Sequence, residues 1–352
     1  MEMMQHIRRD QRSPATAISG VLHLRIAGNA EWSIDANCQH GYGVPMRAQS
    51  KTRADVEGTC SPGKKQPGRS RFLKATVSHV GHNTSMNDLT LYHNLASASS
   101  QKVRLTLAEK KLDVRSVEIS LGGEQHTPGY RAVNPAGVVP TLVHKGHRMF
   151  ETGAILEYLD EVFPSPPLSP SDPVLRQRMR AHICRLNEVN HPANGMMHYA
   201  ILARPALLQL PSDRLEALLA AMPNERDRKL RRAAVSQGLK AMEFADAVRT
   251  QEQMLDTFEQ MLGRTSYLIN DDVTLLDLTA LPYIARLDQM GLIELITNCD
   301  RPHLAAWYAR MKLRPSWEAS FAFLAAGPFK DWPTMGRATM PSILPLLRRP
   351  PT

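Results

Sequence analysis

Residues 132–159 read AVNPAGVVPTLVHKGHRMFETGAILEYL, and the order of features along them decides the fold. Asn134, Pro135 and Gly137 are turn formers, so the stretch opens as a loop. Residues 141–144 (TLVH) are a short β-rich run and 148–150 (RMF) are another. Lys145, Gly146 and His147 between them are the right length for a hairpin. Ala154, Ile155, Tyr158, Leu159 and Val162 then recur at helical spacing, with Glu157, Asp160 and Glu161 on other faces. Pro140 stands at the mouth of the first strand, where its missing N–H costs no ladder bond. A cis peptide there turns the backbone of Val139 outward. One N–H and one C=O are then free at a sheet edge, able to take an extended peptide by strand addition. Eleven positions on, Glu151 and Thr152 open the helix. Backbone N–H groups at such an end hold a carboxylate, and Glu151 holds an amine.

An edge that takes a short peptide, beside an anion site, suits glutathione. VVPTL at 138–142, an acid–hydroxyl pair at 151–152 and AILEYL at 154–159 together resemble the N-terminal thioredoxin-like domain of cytosolic glutathione transferases. The family's usual pair is Glu-Ser; Thr152 keeps the hydroxyl. The resemblance covers residues 86–325 and points to the bacterial serine-type, zeta- and β-etherase-like branch. It implies an α/β thioredoxin-like N-terminal domain (βαβ then ββα, mixed sheet) followed by an all-α C-terminal domain.

Composition is consistent with a folded chain: 352 residues, 43% apolar and 22% charged. The net charge of +9 is uneven, because residues 1–85 hold twelve Lys/Arg against six Asp/Glu. The basic character therefore belongs mainly to the first quarter and is poor evidence for nucleic-acid binding by the rest. Cys38, Cys60, Cys184 and Cys299 are scattered without a C-x-x-C pair, which excludes a dithiol redox motif and a zinc knuckle and fits a reducing, cytoplasmic setting. No metal site is expected. No run of 18 apolar residues suggests a membrane span. The apolar run from Ala17 to Ala27 is broken by His23 and Arg25, unlike a signal peptide.

In chain order, 1–85 reads as a basic, disordered extension, with a linker-like SPGKKQPGR at 61–69 and Met86 as a plausible true start. The thioredoxin-like domain is assigned to 86–163, with a strand at 89–92, a helix ending near Leu112 and a strand at 114–119. A proline-rich linker follows at 164–173 and a helical domain at 174–326. That domain begins with one long helix at 175–203, bent near His191 and Pro192. Further helices are expected at 213–221 and 243–262, with an Arg/Lys-rich stretch at 224–237 between them, and a last one at 304–311. Between the last two, Thr274 and Asp277 form a capping box with Val273 and Leu278 as its staple, ahead of a mostly apolar helix kinked at Pro282. Residues 327–352 read as a proline-rich tail.

The chemistry that the resemblance implies is attack by the glutathione sulfur on an electrophile. A free thiol has a pKa of roughly 8.5 and must be held as thiolate. A hydroxyl at the start of a helix suits that task, because the dipole there also favours negative charge. Ser97, Ser99 and Ser100 stand in that place, before the first helix. Ser97 has the spacing to Val103 and Arg104 found around the zeta- and tau-like catalytic serine, and it is the first candidate. Ser100 matches the β-etherase serine and is the second; Ser99 is the third. Tyr92 reads as structural. The resemblance assigns Val139 to pairing with the cysteinyl backbone, Pro140 to the cis bond, and Glu151 and Thr152 to the γ-glutamyl end. It puts Gln125, with less weight on His126, near the glycyl carboxylate. Asn194, Met197 and His198 are candidates for the electrophile pocket, and the basic run at 226–232 reads as a solvated helix face.

The expected activity is therefore that of a homodimeric, serine-type glutathione transferase in detoxification, partnered by glutathione and an electrophilic small molecule, with no nucleic acid and no membrane. β-Ether cleavage, dehalogenation and isomerisation are alternatives. A glutathione-binding scaffold without turnover is the competing class. The electrophile itself is not legible.

Overall fold

The computed structural model describes residues 88–325 and 329–348 and, apart from them, two strands near the N-terminus. Those strands, β1 (Val21–Ile26) and β2 (Ala30–Asp35), pair antiparallel within a unit spanning residues 1–77. Leu22, Leu24 and Ile26 alternate with His23 and Arg25, a period of two too short to stand out in a Ser/Gly/Arg-rich background. The remaining expectations for residues 1–85, Met86 included, lie outside the described residues.

The second unit begins with a four-stranded mixed sheet in the order β4-β3-β5-β6. β3 (Leu89–His93) leads through α1 (Ala98–Glu109) to β4 (Arg115–Glu118), parallel to β3. A single-turn helix, α2 (Pro128–Arg131), precedes β5 (Thr141–His144) and β6 (His147–Met149), both antiparallel. α3 (Thr152–Val162) then covers the sheet. Leu89, Leu91 and Leu142 bury the inner face against Val103, Leu107, Ile155 and Leu159. This is the βαβ-ββα order that the hydrophobic patterning predicts and the thioredoxin-like arrangement that the resemblance implies.

The linker after α3 is pinned. Lys110 Nζ, at the end of α1, donates to Phe163 O at 2.7 Å and Pro166 O at 2.9 Å and pairs with Asp160 at 2.8 Å. Asp160 in turn accepts the Leu168 N–H. Lys110→Met strips a buried carboxylate of its cation and leaves two carbonyls bare. We expect a loss of about 2–3 kcal/mol of unfolding free energy in urea titration; a loss within 0.5 kcal/mol would mean solvent already reaches the pair.

The helical domain starts with one long bent helix. α4 (Pro173–Arg185) passes through a π turn at Leu186–Asn190 into α5 (His191–His198), then a second π turn at Tyr199–Ala203 into α6 (Arg204–Leu207). Pro192 and Pro205 each sit at the start of the helix after a π turn. A proline lacks the N–H for the i−4 bond and its ring collides with that carbonyl, so the turn before it widens. α7 (Ser212–Ala220), α8 (Glu225–Gln237) and α9 (Met242–Leu262) follow. α10 (Leu275–Gln289) is buried on every side from Leu275 to Leu287, which makes it the central helix, and it continues through Pro282. α11 (Pro302–Lys312) and α12 (Pro315–Phe321) close the bundle. α1 packs on α3 below and on α10 and α12 above, so it belongs to both cores.

The segment read as a tail carries two short helices, α13 (Trp332–Arg337) and α14 (Met340–Ile343). Met340 and Ile343 are buried in the main core. Gly336 lies so close to Met290 that any Cβ would overlap the Met290 carbonyl, and this contact docks α13 on the end of α10. The prolines read as tail formers, Pro333 and Pro341, occupy first-turn helix positions where no N–H is needed.

Candidate functional site

Register alone brings two loops together. Tyr92 pairs with Thr141, so the loop leaving β3 and the loop entering β5 adjoin at one end of the sheet. The first presents Ser97 and the second Val139 and Pro140.

Ser97 is the N-cap of α1, its Oγ accepting the Ser100 N–H at 3.2 Å. With a lone pair so engaged, the hydroxyl proton remains to be donated outward, along the positive end of the helix. Ser97 is partly exposed. Ser100 is fully buried and its Oγ accepts the Asn94 N–H at 3.3 Å. Ser99 is partly exposed in the first turn.

The loop carrying Ser97 is fixed at each carbonyl. Arg104 donates to Asn94 O at 3.1 Å and Leu95 O at 3.0 Å. Gln101 also reaches Leu95 O. Arg286, from α10, donates to Ala96 O at 2.5 Å, so the helical domain helps to set the serine. Asn94 folds its side chain onto Ala96 N and Ile119 O. Arg104 also donates to His93 Nδ1 at 3.1 Å, which leaves Nε2 to donate to Ser116 at 2.6 Å.

Burial first, and then the Arg104 charge, push the His93 pKa from about 6.5 to about 4. Protonation would break the Arg104 bond. A base whose pKa is depressed on folding stabilises above its unfolded value and loses that stabilisation as pH falls through the folded one. Unfolding free energy should therefore fall from pH 6.5 towards 4, with His93 supplying up to about 3 kcal/mol. Urea titrations at several pH values on His93→Gln should show a shallower fall; an unchanged slope would clear His93.

The second loop is braced from beneath. Tyr130 Oη donates to Val138 O at 2.8 Å and lies 3.0 Å from Thr141 Oγ1. Asn134 Nδ2 donates to the same two oxygens. The Val139–Pro140 peptide is cis. Among the described residues neither the N–H nor the C=O of Val139 has a backbone partner. Tyr92 rests against the Tyr130 ring, centroids 6.1 Å apart.

Glu151 follows β6 with φ +61°, at the mouth of α3, and its carboxylate makes no cap to its own helix. The first backbone bond of α3 runs from Ile155 N to Glu151 O, so the amides of Thr152, Gly153 and Ala154 have no protein partner among the described residues. Gln125 is drawn into its own loop: Oε1 accepts Gly123 N–H at 3.0 Å and Nε2 donates to Leu121 O at 3.2 Å. Gly137, at φ +63°, lets the cis-proline loop lie on that segment; a Cβ there would sit 2.8 Å from Gln125 O. Gln125 and His126 thus adjoin the Val139 loop, and His126 Nδ1 is buried without a partner.

Sequence reasoning missed the other wall. Lys102, 1% exposed, donates to Asn187 Oδ1 at 2.7 Å and Tyr283 Oη at 2.5 Å. Arg286, 3% exposed, donates to His198 Nδ1 at 2.9 Å and stacks on Trp332 of α13 at 5.1 Å. Arg231 donates to Tyr199 Oη at 2.5 Å. His191 is open to solvent, although protein crowds it from several sides and the Lys102, Arg231 and Arg286 charges act on it. The sequence held a signal: Lys102 stands three and four residues before Leu105 and Thr106 on the buried face of α1, and Arg286 is a lone cation in an apolar helix. Arg231, read as part of a solvated face, turns to Tyr199; His198 pairs with Arg286, and Asn194 and Met197 are buried. A separate cleft of about 590 Å³, lined by Glu109, Pro166, Tyr267 and Asn270 among others, opens at the far end of α1 and holds none of these residues.

Comparison with known proteins gives two domain matches. Residues 91–167 match the glutathione S-transferase N-terminal domain and 230–310 the C-terminal domain. The chain is 40% identical over 111 residues to maleylacetoacetate isomerase of Pseudomonas aeruginosa, a match of 30% of this chain and about half (52%) of that protein's length. It is 29% identical over 232 residues to glutathione S-transferase F10 of Arabidopsis thaliana, covering 65% of this chain and 94% of that one. Among solved structures it is similar to β-etherase LigF of Sphingobium sp. strain SYK-6, with a TM-score of 0.61 and 26% identity over 67% of this chain and 99% of that chain. No helix among the described residues is long and apolar enough to cross a membrane.

Proposed function

The chain belongs to the cytosolic glutathione transferase superfamily, and on that premise we propose that it is a glutathione-using enzyme in which the Ser97 hydroxyl holds the cysteinyl sulfur as a thiolate. The observation that carries this reading is the meeting, at one sheet end, of a helix-capping serine and an unpaired Val139 backbone. Val139 N–H and C=O pair with the cysteinyl residue, with Pro140 turning them outward. Glu151 takes the γ-glutamyl amine, and the Thr152 amide and hydroxyl take its carboxylate. Gln125 shapes the loop that faces the glycyl carboxylate. The burial of Ser100 favours Ser97 as the sulfur's partner. Ser100 then serves to anchor Asn94.

The thiol proton passes to solvent and the thiolate attacks the electrophile's carbon; the S–C bond forms as the bond to a leaving group breaks and that group departs with the electron pair. Conjugation completes a transferase reaction. Relatives named as an isomerase and a β-etherase support isomerisation and ether cleavage as second readings from the same thiolate. The reading includes a homodimer, a cytoplasmic setting and a role in detoxification. A glutathione titration of the full chain, followed by thiolate ultraviolet absorbance, tests it. A thiolate signal at neutral pH, with the bound thiol's pKa well below roughly 8.5, is expected. Binding without thiolate would favour the scaffold alternative, and no binding would remove the reading.

A further inference from the structure

The two arginines that fix the Ser97 loop are both covered by aromatic rings from beyond α12. Between them, Arg104 and Arg286 hold the carbonyls of Asn94, Leu95 and Ala96, the three residues before Ser97. The Phe323 ring centroid lies 5.7 Å from Arg104 Cζ. The Trp332 ring, at the start of α13, lies 5.1 Å from Arg286 Cζ. Phe329 joins these two rings edge to face, 5.2 Å from Phe323 and 4.9 Å from Trp332. The run from Arg104 through Phe323, Phe329 and Trp332 to Arg286 is therefore continuous. Two more contacts strengthen it. Arg104 donates to Ser320 O at 2.7 Å, and Trp332 meets, at 5.2 Å, the His198 ring that accepts from Arg286.

A guanidinium carries its N–H donors in its own plane and none on its faces. Its edges can hold carbonyls while a face rests on a ring, so the two tasks do not compete. A cation within about 6 Å of a ring centroid is drawn to the ring's negative face, more strongly where water is excluded. Arg286 is buried, and Nε of both arginines is buried without an acceptor. No carboxylate is bonded to either arginine among the described residues, so carbonyl oxygens and ring faces are what offset their charge.

We propose that Phe323, Phe329 and Trp332 are positioning residues that hold Arg104 and Arg286 in place and, through these arginines, set the Ser97 hydroxyl, a role that rests on the thiolate reading above. The segment after α12 then serves the reaction without touching substrate. A hydrogen bond to sulfur depends steeply on where its donor sits, so a slackened loop weakens it.

Trp332→Leu keeps apolar bulk and removes the ring; Trp332→Phe keeps a ring. In the full chain with glutathione, Trp332→Leu should weaken the bound thiol's ionisation constant by about 3- to 10-fold, read as a rise in its pKa by ultraviolet absorbance. Glutathione affinity should change by less than about 3-fold, and Trp332→Phe should restore most of the ionisation. Arg286→Lys keeps a charge but has no flat face to stack, and should resemble Trp332→Leu. An unmoved thiol pKa in Trp332→Leu, or a loss that Trp332→Phe fails to restore, would overturn the proposal. Hydrogen exchange without glutathione separates this failure from that of the thiolate reading. The loop amides are bonded within the loop and to α1: Ala96 N–H to Asn94 Oδ1, Asn94 N–H to Ser100 Oγ and Ser97 N–H to Asn94 O. Slackening therefore speeds their exchange, by about 3- to 10-fold in Trp332→Leu and little in Trp332→Phe. That pattern in a protein that forms no thiolate keeps the aromatic run and sinks the role of Ser97. Unchanged exchange sinks the aromatic run whether or not thiolate forms. Phe329→Leu, at a half-buried position, reads the same run one ring further out should Trp332→Leu fail to fold.

Discussion

Asp277→Ala should lower the unfolding free energy by about 4–5 kcal/mol, the largest stability effect expected of a single side chain here. The carboxylate is fully buried and accepts four hydrogen bonds. Oδ2 takes the Thr274 N–H and O–H, each at 2.9 Å. Oδ1 takes the Leu268 N–H at 3.0 Å and the Trp307 Nε1–H at 2.9 Å. Removing it leaves two backbone donors and an indole donor with no acceptor in the core, at about 1–3 kcal/mol each and less than additively. A surface cap lost in the same way costs only about 1 kcal/mol. The site also joins three parts of the domain: the start of α10, the loop at Leu268 and α11 through Trp307. Urea unfolding of Asp277→Ala measures the loss. Asp277→Asn, which keeps the shape but turns one oxygen into a donor facing Thr274 or Trp307, should lie between. A loss near 1 kcal/mol for the alanine variant would mean that the network is no more than an ordinary cap.

This box was legible because its parts lie within six consecutive residues. Thr274, Asp277, Val273 and Leu278 announce themselves locally, as do the β5–β6 hairpin and α3. What the sequence hid is long-range. Trp307 is 30 residues from Asp277, and nothing in the spacing ties them. Ser97, Ser99 and Ser100 look alike as letters; only the fold buries Ser100 and leaves Ser97 at the cap. Arg231 sits among Arg226, Arg228, Lys229 and Arg232, a run that reads as a solvated face, yet one of its five cations turns to Tyr199. Prolines at 333 and 341 read as tail formers and prove to be first-turn residues of helices whose docking puts Trp332 over Arg286. Local chemistry thus gave the proposed glutathione edge, and tertiary packing gave the cluster of Lys102, Arg231 and Arg286.

Ser97→Ala should reduce kcat/KM by about 100-fold while changing glutathione affinity by less than about 3-fold. The hydroxyl's task is to donate one hydrogen bond to a charge that the free thiol lacks, so its loss falls on the thiolate state. In the proposed site the peptide is held elsewhere, by Val139 and by the start of α3, and those groups remain. The same substitution removes the cap on the Ser100 N–H and should cost about 1 kcal/mol of stability. Activity must therefore be read on folded protein, well below the melting transition. Ser97→Thr separates the two roles, since it keeps both the cap and the donor; it should recover most of the rate. Ser100→Ala is the counterpart. It deprives the Asn94 N–H of its acceptor in a buried place, so about 1–2 kcal/mol of stability should be lost with turnover nearly intact. The bound thiol's pKa, followed by ultraviolet absorbance, should rise in Ser97→Ala and stay put in Ser100→Ala. Were Ser97→Ala to keep its rate and Ser100→Ala to lose it, the sulfur would have to meet Ser100, a side chain that this fold buries fully.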